Sequence, residues 1–207
     1  MELSDWSRDG RFLIGTLGNA RTQGDIWLWP MKDGLPDGKP FPYLHTAFNE
    51  RFPKLSPDGH WLAYSSDETK RDEVYVQSFP MPGQKIQISS NGGDRPVWSR
   101  DGKELYFIDL NQKITAVPVK TGAKFEADAP KELFEVHMGQ VARSGSFDIS
   151  SNGRFVIPNS IGESATQPMT ESPNDCPSLP DRNCRSATTQ SRPLSSNDSA
   201  YRSHKTA

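Results

Sequence analysis

The side chains able to do chemistry are spread thinly along this sequence. The four histidines, His45, His60, His137 and His204, lie far apart and form neither an H-x-H nor an H-E-x-x-H pair. No zinc-type ligand set is read from them. The acids Asp67, Glu68, Asp72 and Glu73 cluster, but Lys70 and Arg71 interrupt them. They lack the ligand spacing and the glycine of a calcium loop, and read as a solvated hairpin loop. Cys176 and Cys184 are eight positions apart in a polar stretch with no second pair, so they read as incidental rather than as a disulfide framework or a zinc site. Phosphoryl transfer needs a glycine-rich phosphate loop, a strand lysine and motif aspartates; Gly15-Thr16-Leu17-Gly18 lacks the spacing and nothing else comes nearer. Acyl transfer needs a G-x-S-x-G elbow, which Gly145-Ser146 does not supply. No catalytic, cofactor-binding or metal-ligating residue is assigned, and the chain reads as a non-enzyme.

Composition narrows the partners. The chain has 207 residues, a formal net charge of -2 and only 33% hydrophobic residues. The apolar deficit falls after about residue 160, so the earlier part can still bury a core. Basic residues are mixed with acids, which argues against nucleic acid as partner. No apolar run is long enough to span a bilayer, and Met1 to Trp6 carries neither the basic nor the apolar region of a signal peptide.

What the sequence does carry is a repeat. Ser7-Arg8-Asp9-Gly10, Ser56-Pro57-Asp58-Gly59, Ser99-Arg100-Asp101-Gly102 and Ser150-Ser151-Asn152-Gly153 each precede one polar or basic residue and a short apolar run. The period is about 43 to 51 residues, close to one propeller blade. Ser, Asp or Asn, and Gly in this order suit a type I turn, and Pro57 fits its second place. Asp9, Asp58 and Asp101 are therefore explained by the turn and need not be ligands.

The flanking runs are short, aromatic and branched, which makes each unit a hairpin. Further strands are expected at Gly24 to Trp29, Glu73 to Phe79 and Lys113 to Val119, with a fourth near Phe41–Leu44, Lys85–Ser89 and Leu133–Val136. Trp27-Leu28-Trp29 and Val74-Tyr75-Val76 are apolar on both sides, as strands buried against neighbours on both faces should be. Trp6 and Trp98 share a repeat position with Leu55 and Ile149, so apolar packing rather than a stacking site is expected there; Trp61, Trp27 and Trp29 are likewise expected between blades.

At Leu55-Ser56-Pro57-Asp58-Gly59-His60-Trp61-Leu62-Ala63-Tyr64 the sequence resembles the PD40 (WD40-like) repeat of TolB-like β-propellers. Asn49 to Phe79, Val97 to Tyr106 and Phe125-Glu126-Ala127 more closely resemble the C-terminal propeller of bacterial membrane-anchored serine/threonine kinases. The resemblance implies an all-β fold: an incomplete β-propeller of about three four-stranded blades plus part of a fourth over residues 1–170. Residues 171–207 are expected to form a disordered tail, which a frameshift would explain, and the chain to be a fragment of a longer protein.

The implied function is a non-catalytic binding or sensing module, extracytoplasmic by resemblance, belonging to a kinase of that type. The alternatives are a TolB-like periplasmic interaction scaffold and the propeller of a prolyl-oligopeptidase-type peptidase. No cofactor is expected. A protein or small-molecule ligand is expected at the loops Gly18 to Gln23, Ser66 to Asp72 and Ser90 to Arg95, and self-association through open blade edges.

Overall fold

The computed structural model describes residues 1–21, 23–122, 124–136, 147–150 and 153–157. They belong to a compact unit spanning Met1–Glu163. The expected tail, the boundary near residue 170, His137, His204, Cys176 and Cys184 lie outside the described residues.

The described chain is all β. Blade 1 is an antiparallel sheet of β1 (Glu2–Trp6), β2 (Phe12–Leu17), β3 (Asp25–Lys32) and β5 (Phe41–Leu44), in that order, with the two-residue β4 (Leu35–Pro36) on the far end of β3. Blade 2 is β6 (Glu50–Leu55), β7 (Trp61–Ser66), β8 (Glu73–Ser78) and β9 (Lys85–Gln87). Blade 3 is β10 (Asp94–Trp98), β11 (Glu104–Ile108), β12 (Lys113–Thr121) and β14 (Lys131–Glu135), with β13 (Phe125–Ala127) extending β12. A fourth sheet holds the hairpin β15 (Asp148–Ile149) and β16 (Phe155–Val156). The fourth strands fall where the repeat places them; β4 and β13 are additions to the four-stranded pattern.

In blades 1 to 3 the repeat motif is a small hydrogen-bond lattice. In blade 2 the Gly59 amide donates to the Ser56 carbonyl at 2.9 Å, closing the turn. The Ser56 hydroxyl donates to Asp58 at 2.5 Å and accepts the Trp61 amide at 3.0 Å, while Asp58 also accepts the His60 amide at 3.1 Å. Ser7 with Asp9 and Ser99 with Asp101 repeat the set. Gly59 sits at φ 74°, and Gly10, Gly102 and Gly153 share that sign. A Cβ there costs about 1–2 kcal/mol, which is why the motif ends in glycine.

Packing follows from strand alternation. In β7 every residue is buried, but on two different faces. Leu62 and Tyr64 pack on Ile14, Ile26 and Leu28 of blade 1, with Tyr75 and Phe79. Trp61 and Ala63 pack on Leu105, Phe107, Val117 and Phe125 of blade 3, with Val74 and Val76. Blade 3 repeats the arrangement toward Phe147 and Ile149 through Ile108 and Ile114. A sheet with cores on both faces explains why its strands read as continuous apolar runs.

Two tryptophan expectations are corrected. Trp61 and Trp98 are buried between blades 2 and 3, and the Trp98 indole donates to the Lys54 carbonyl across that interface at 2.9 Å. Trp27 and Trp29 alternate with Ile26 and Leu28, so they point away from blade 2 and are only half-buried. Trp6 is 46% exposed, because the same register position that turns Leu55 and Trp98 onto the preceding blade meets no blade there among the described residues.

Candidate functional site

In each blade the strand that comes first in sequence, β1, β6, β10 or β15, is an edge strand of its sheet, and β1 and β10 each lie beside β6. These strands define an inner surface with two ends. At one end are the Ser-x-Asp-Gly turns. At the other, the β2–β3 and β7–β8 loops meet the β5–β6 and β9–β10 connections that join blades.

The loop end holds the densest cluster of polar groups that strand formation does not account for. In β6, Phe52 and Pro53 form a bulge opposite one residue of β7, and in β10 Arg95 and Pro96 do the same opposite β11. Phe52 and Arg95 both adopt φ 54°. A positive φ in a bulky side chain is strained, and such strain gathers where function requires a fixed shape. Proline cannot donate to a ladder, so these bulges need strands with a free edge, as β6 and β10 have.

The bulges bring side chains together. Two guanidiniums approach the Phe52 ring, Arg51 at 5.4 Å and Arg95 at 4.8 Å from its centroid. Arg51 pairs with Asp72 at 2.7 Å, and Arg95 with Asp94 at 3.0 Å. Burial works against the Arg51 charge, but the Asp72 hydrogen bond and charge outweigh it and hold the guanidinium above its ordinary value. Around this stack Asn49 Oδ1, Glu50 Oε2, Arg51 Nε and Ser66 Oγ are buried without a protein hydrogen-bond partner. Glu50 is 2% exposed, and burial, assisted by the Asp25 charge, pushes its carboxyl up. A cleft of about 460 Å³ opens beside them, lined by Glu2, Thr16, Gly24, Asn49, Arg51 and Phe52.

Two buried acids hold the loops in place. Asp25 takes the His45 ring nitrogen at 2.8 Å and the Asn19 amide at 2.9 Å, tying the β2–β3 loop to the β5–β6 connection. Glu73, at the same place in blade 2, is fully buried and bound by the Ser89 hydroxyl, the Gly92 amide and Arg71. The acidic cluster is therefore not a solvated loop. Asp67 accepts the Asn49 amide at 2.9 Å, Glu68 pairs with Lys85, Asp72 pairs with Arg51, and Glu73 is core. Single-residue charge counting could not foresee this, because apart from Arg71 the partners lie in other strands and connections. His60, by contrast, is exposed turn surface.

The three loop stretches singled out from sequence do share this end. Ser66 belongs to β7, however, and Asp94 and Arg95 begin β10, so the loops proper are shorter. Sequence reasoning missed Asn49, Glu50, Arg51 and Phe52; the only trace was proline inside a strand-like run, which marks a bulge or an edge. Among the described residues no group of three metal-ligating side chains converges.

Solved structures of the same architecture exist. This chain superposes on TolB from Acinetobacter baumannii with a TM-score of 0.50 at 16% identity, covering 72% of this chain and 34% of that one. It superposes on a Bacteroides uniformis protein named as a 6-phosphogluconolactonase with a TM-score of 0.54 at 19% identity, covering 73% and 45%. The fold is a TolB-like β-propeller. The TolB-like chain described here thus spans less than half the length of either relative. No family model matches the sequence, and no curated protein matches it.

Proposed function

We propose that this chain is a non-catalytic binding module, an interaction scaffold of the TolB type, that recognises a partner at the loop end of its inner surface. The observation that carries this reading is the convergence of three blade loops on the strained, polar Arg51–Phe52–Arg95 stack. The acids there are engaged in ion pairs or in holding loops, an arrangement suited to a fixed recognition surface. An extracytoplasmic location accords with the TolB resemblance and belongs to the same proposal. Attachment to a membrane-anchored serine/threonine kinase rests on sequence resemblance alone, and the neighbouring coding sequence tests it.

The functional test is photocrosslinking from the exposed loop positions Ala20 and Lys70, with Asp33 at the opposite end as control. A defined partner crosslinking at the first two and not at Asp33 supports the reading. Lactone hydrolysis by the purified chain, abolished by Asp94→Asn, would replace it with an enzymatic one.

A further inference from the structure

The opposite end of the inner surface carries a second site that the loop-end reading does not use. A cleft of about 340 Å³ is lined by residues of all four sheets, the last two inner-strand residues of each contributing: Asp5 and Trp6, Lys54 and Leu55, Val97 and Trp98, Asp148 and Ile149. It lies within the size range of ligand pockets.

Its charges are not equal in availability. Both Asp5 oxygens are occupied by backbone, Oδ1 by the Trp6 amide at 2.8 Å and Oδ2 by the Leu55 amide at 2.7 Å. Asp148 accepts the Ile149 amide at 2.7 Å in the same way. Lys54 donates to the Ser4 carbonyl at 2.7 Å. Arg8 and Arg100, from the turns of blades 1 and 3, also line the cleft, are exposed, and make no ion pair or side-chain hydrogen bond among the described residues. Two guanidiniums without a partner among the described residues thus line a cleft in which both Asp5 oxygens and one Asp148 oxygen are taken by backbone amides, and Trp6, 46% exposed, lines it too.

We infer that this cleft binds a short acidic peptide segment, with carboxylates on Arg8 and Arg100 and an apolar side chain on Trp6. Guanidinium forks match carboxylates in bidentate geometry. Blade 2 stands between the two arginines, so their anionic partners belong on a chain of several atoms rather than on one small ion. An exposed indole adds an apolar and cation-compatible face that a simple anion would not use.

Fluorescence anisotropy of the full chain with a fluorescein-labelled peptide, Glu-Gly-Phe-Gly-Glu, tests this against the Gln-Gly-Phe-Gly-Gln analogue and against inorganic phosphate as competitor. The expected results are binding of the acidic peptide at least tenfold tighter than the analogue and weakening with salt. Arg8→Gln/Arg100→Gln should weaken binding tenfold or more at an unchanged melting temperature, and Trp6→Ala should weaken binding of Glu-Gly-Phe-Gly-Glu but not of Glu-Gly-Ala-Gly-Glu. Equal binding of both peptides, indifference to the double variant, or full displacement by phosphate at equimolar concentration would each overturn it. Loop-end crosslinking at Ala20 and Lys70 is read separately, so either site can fail without the other.

Discussion

At the residue scale, the repeated turn acts as an acid-labile clasp. The Arg11 amide and then the Ser7 hydroxyl, each bonded to Asp9, hold its carboxyl at about 2. Asp101 is lowered by the equivalent Ser99 and Lys103 bonds, and Asp58 is lowered although its burial opposes this. A carboxyl whose folded value lies below its unfolded one contributes stability above the unfolded value, near 4, and loses it as pH falls through the folded value. The expected outcome is a melting temperature that drops steeply between about pH 4 and 2. The triple variant Asp9→Asn/Asp58→Asn/Asp101→Asn should be less stable than the parent at pH 6 and lose less over that window, as circular dichroism melts will show. These aspartates were legible from the sequence because the motif itself supplies bonding partners two residues away. Glu50 and Glu73 were not, because their burial comes from packing by other strands and loops and not from the local neighbours Thr46 and Arg71 that also bond them.

At the element scale, β7 is the strand through which blades 1 and 3 are coupled. Its alternation sends Leu62 into one interblade core and Ala63 into the other, both fully buried. Leu62→Ala is expected to cost about 2–5 kcal/mol, since the sheets on either side cannot collapse onto the void. Ala63→Leu is expected to cost about 1–3 kcal/mol by overfilling the opposite core. Urea unfolding checks both. The strands themselves were readable from turn spacing and apolar runs. The orientation of the tryptophan pair in β3 was not: alternation says that Trp27 and Trp29 share a face, but only the neighbouring sheet says which face is covered.

At the scale of the whole molecule, each core cluster of the described residues joins blades adjacent in sequence, so stability accumulates interface by interface as in other repeat folds. The outer face of blade 1, with Leu13, Trp27 and Trp29 half-buried and Leu3 and Trp6 exposed, is apolar surface of the kind that associates. Concentration-dependent association measured by light scattering is expected, and Trp29→Glu should reduce it; a monomer at all concentrations would remove the expectation. The joint between blades 2 and 3 has a consequence in time as well as in space. Glu73 captures Ser89 and Gly92, Arg71 reaches the Ser90 carbonyl, and the Gly93 amide donates to the Asp72 carbonyl at 2.9 Å. Every partner precedes Asp94, where the next sheet begins. On the ribosome, where chains fold from the N-terminus as they emerge, this elbow can set before any of blade 3 has been made, and the nascent strand leaves it already aimed at the surface on which it will pack.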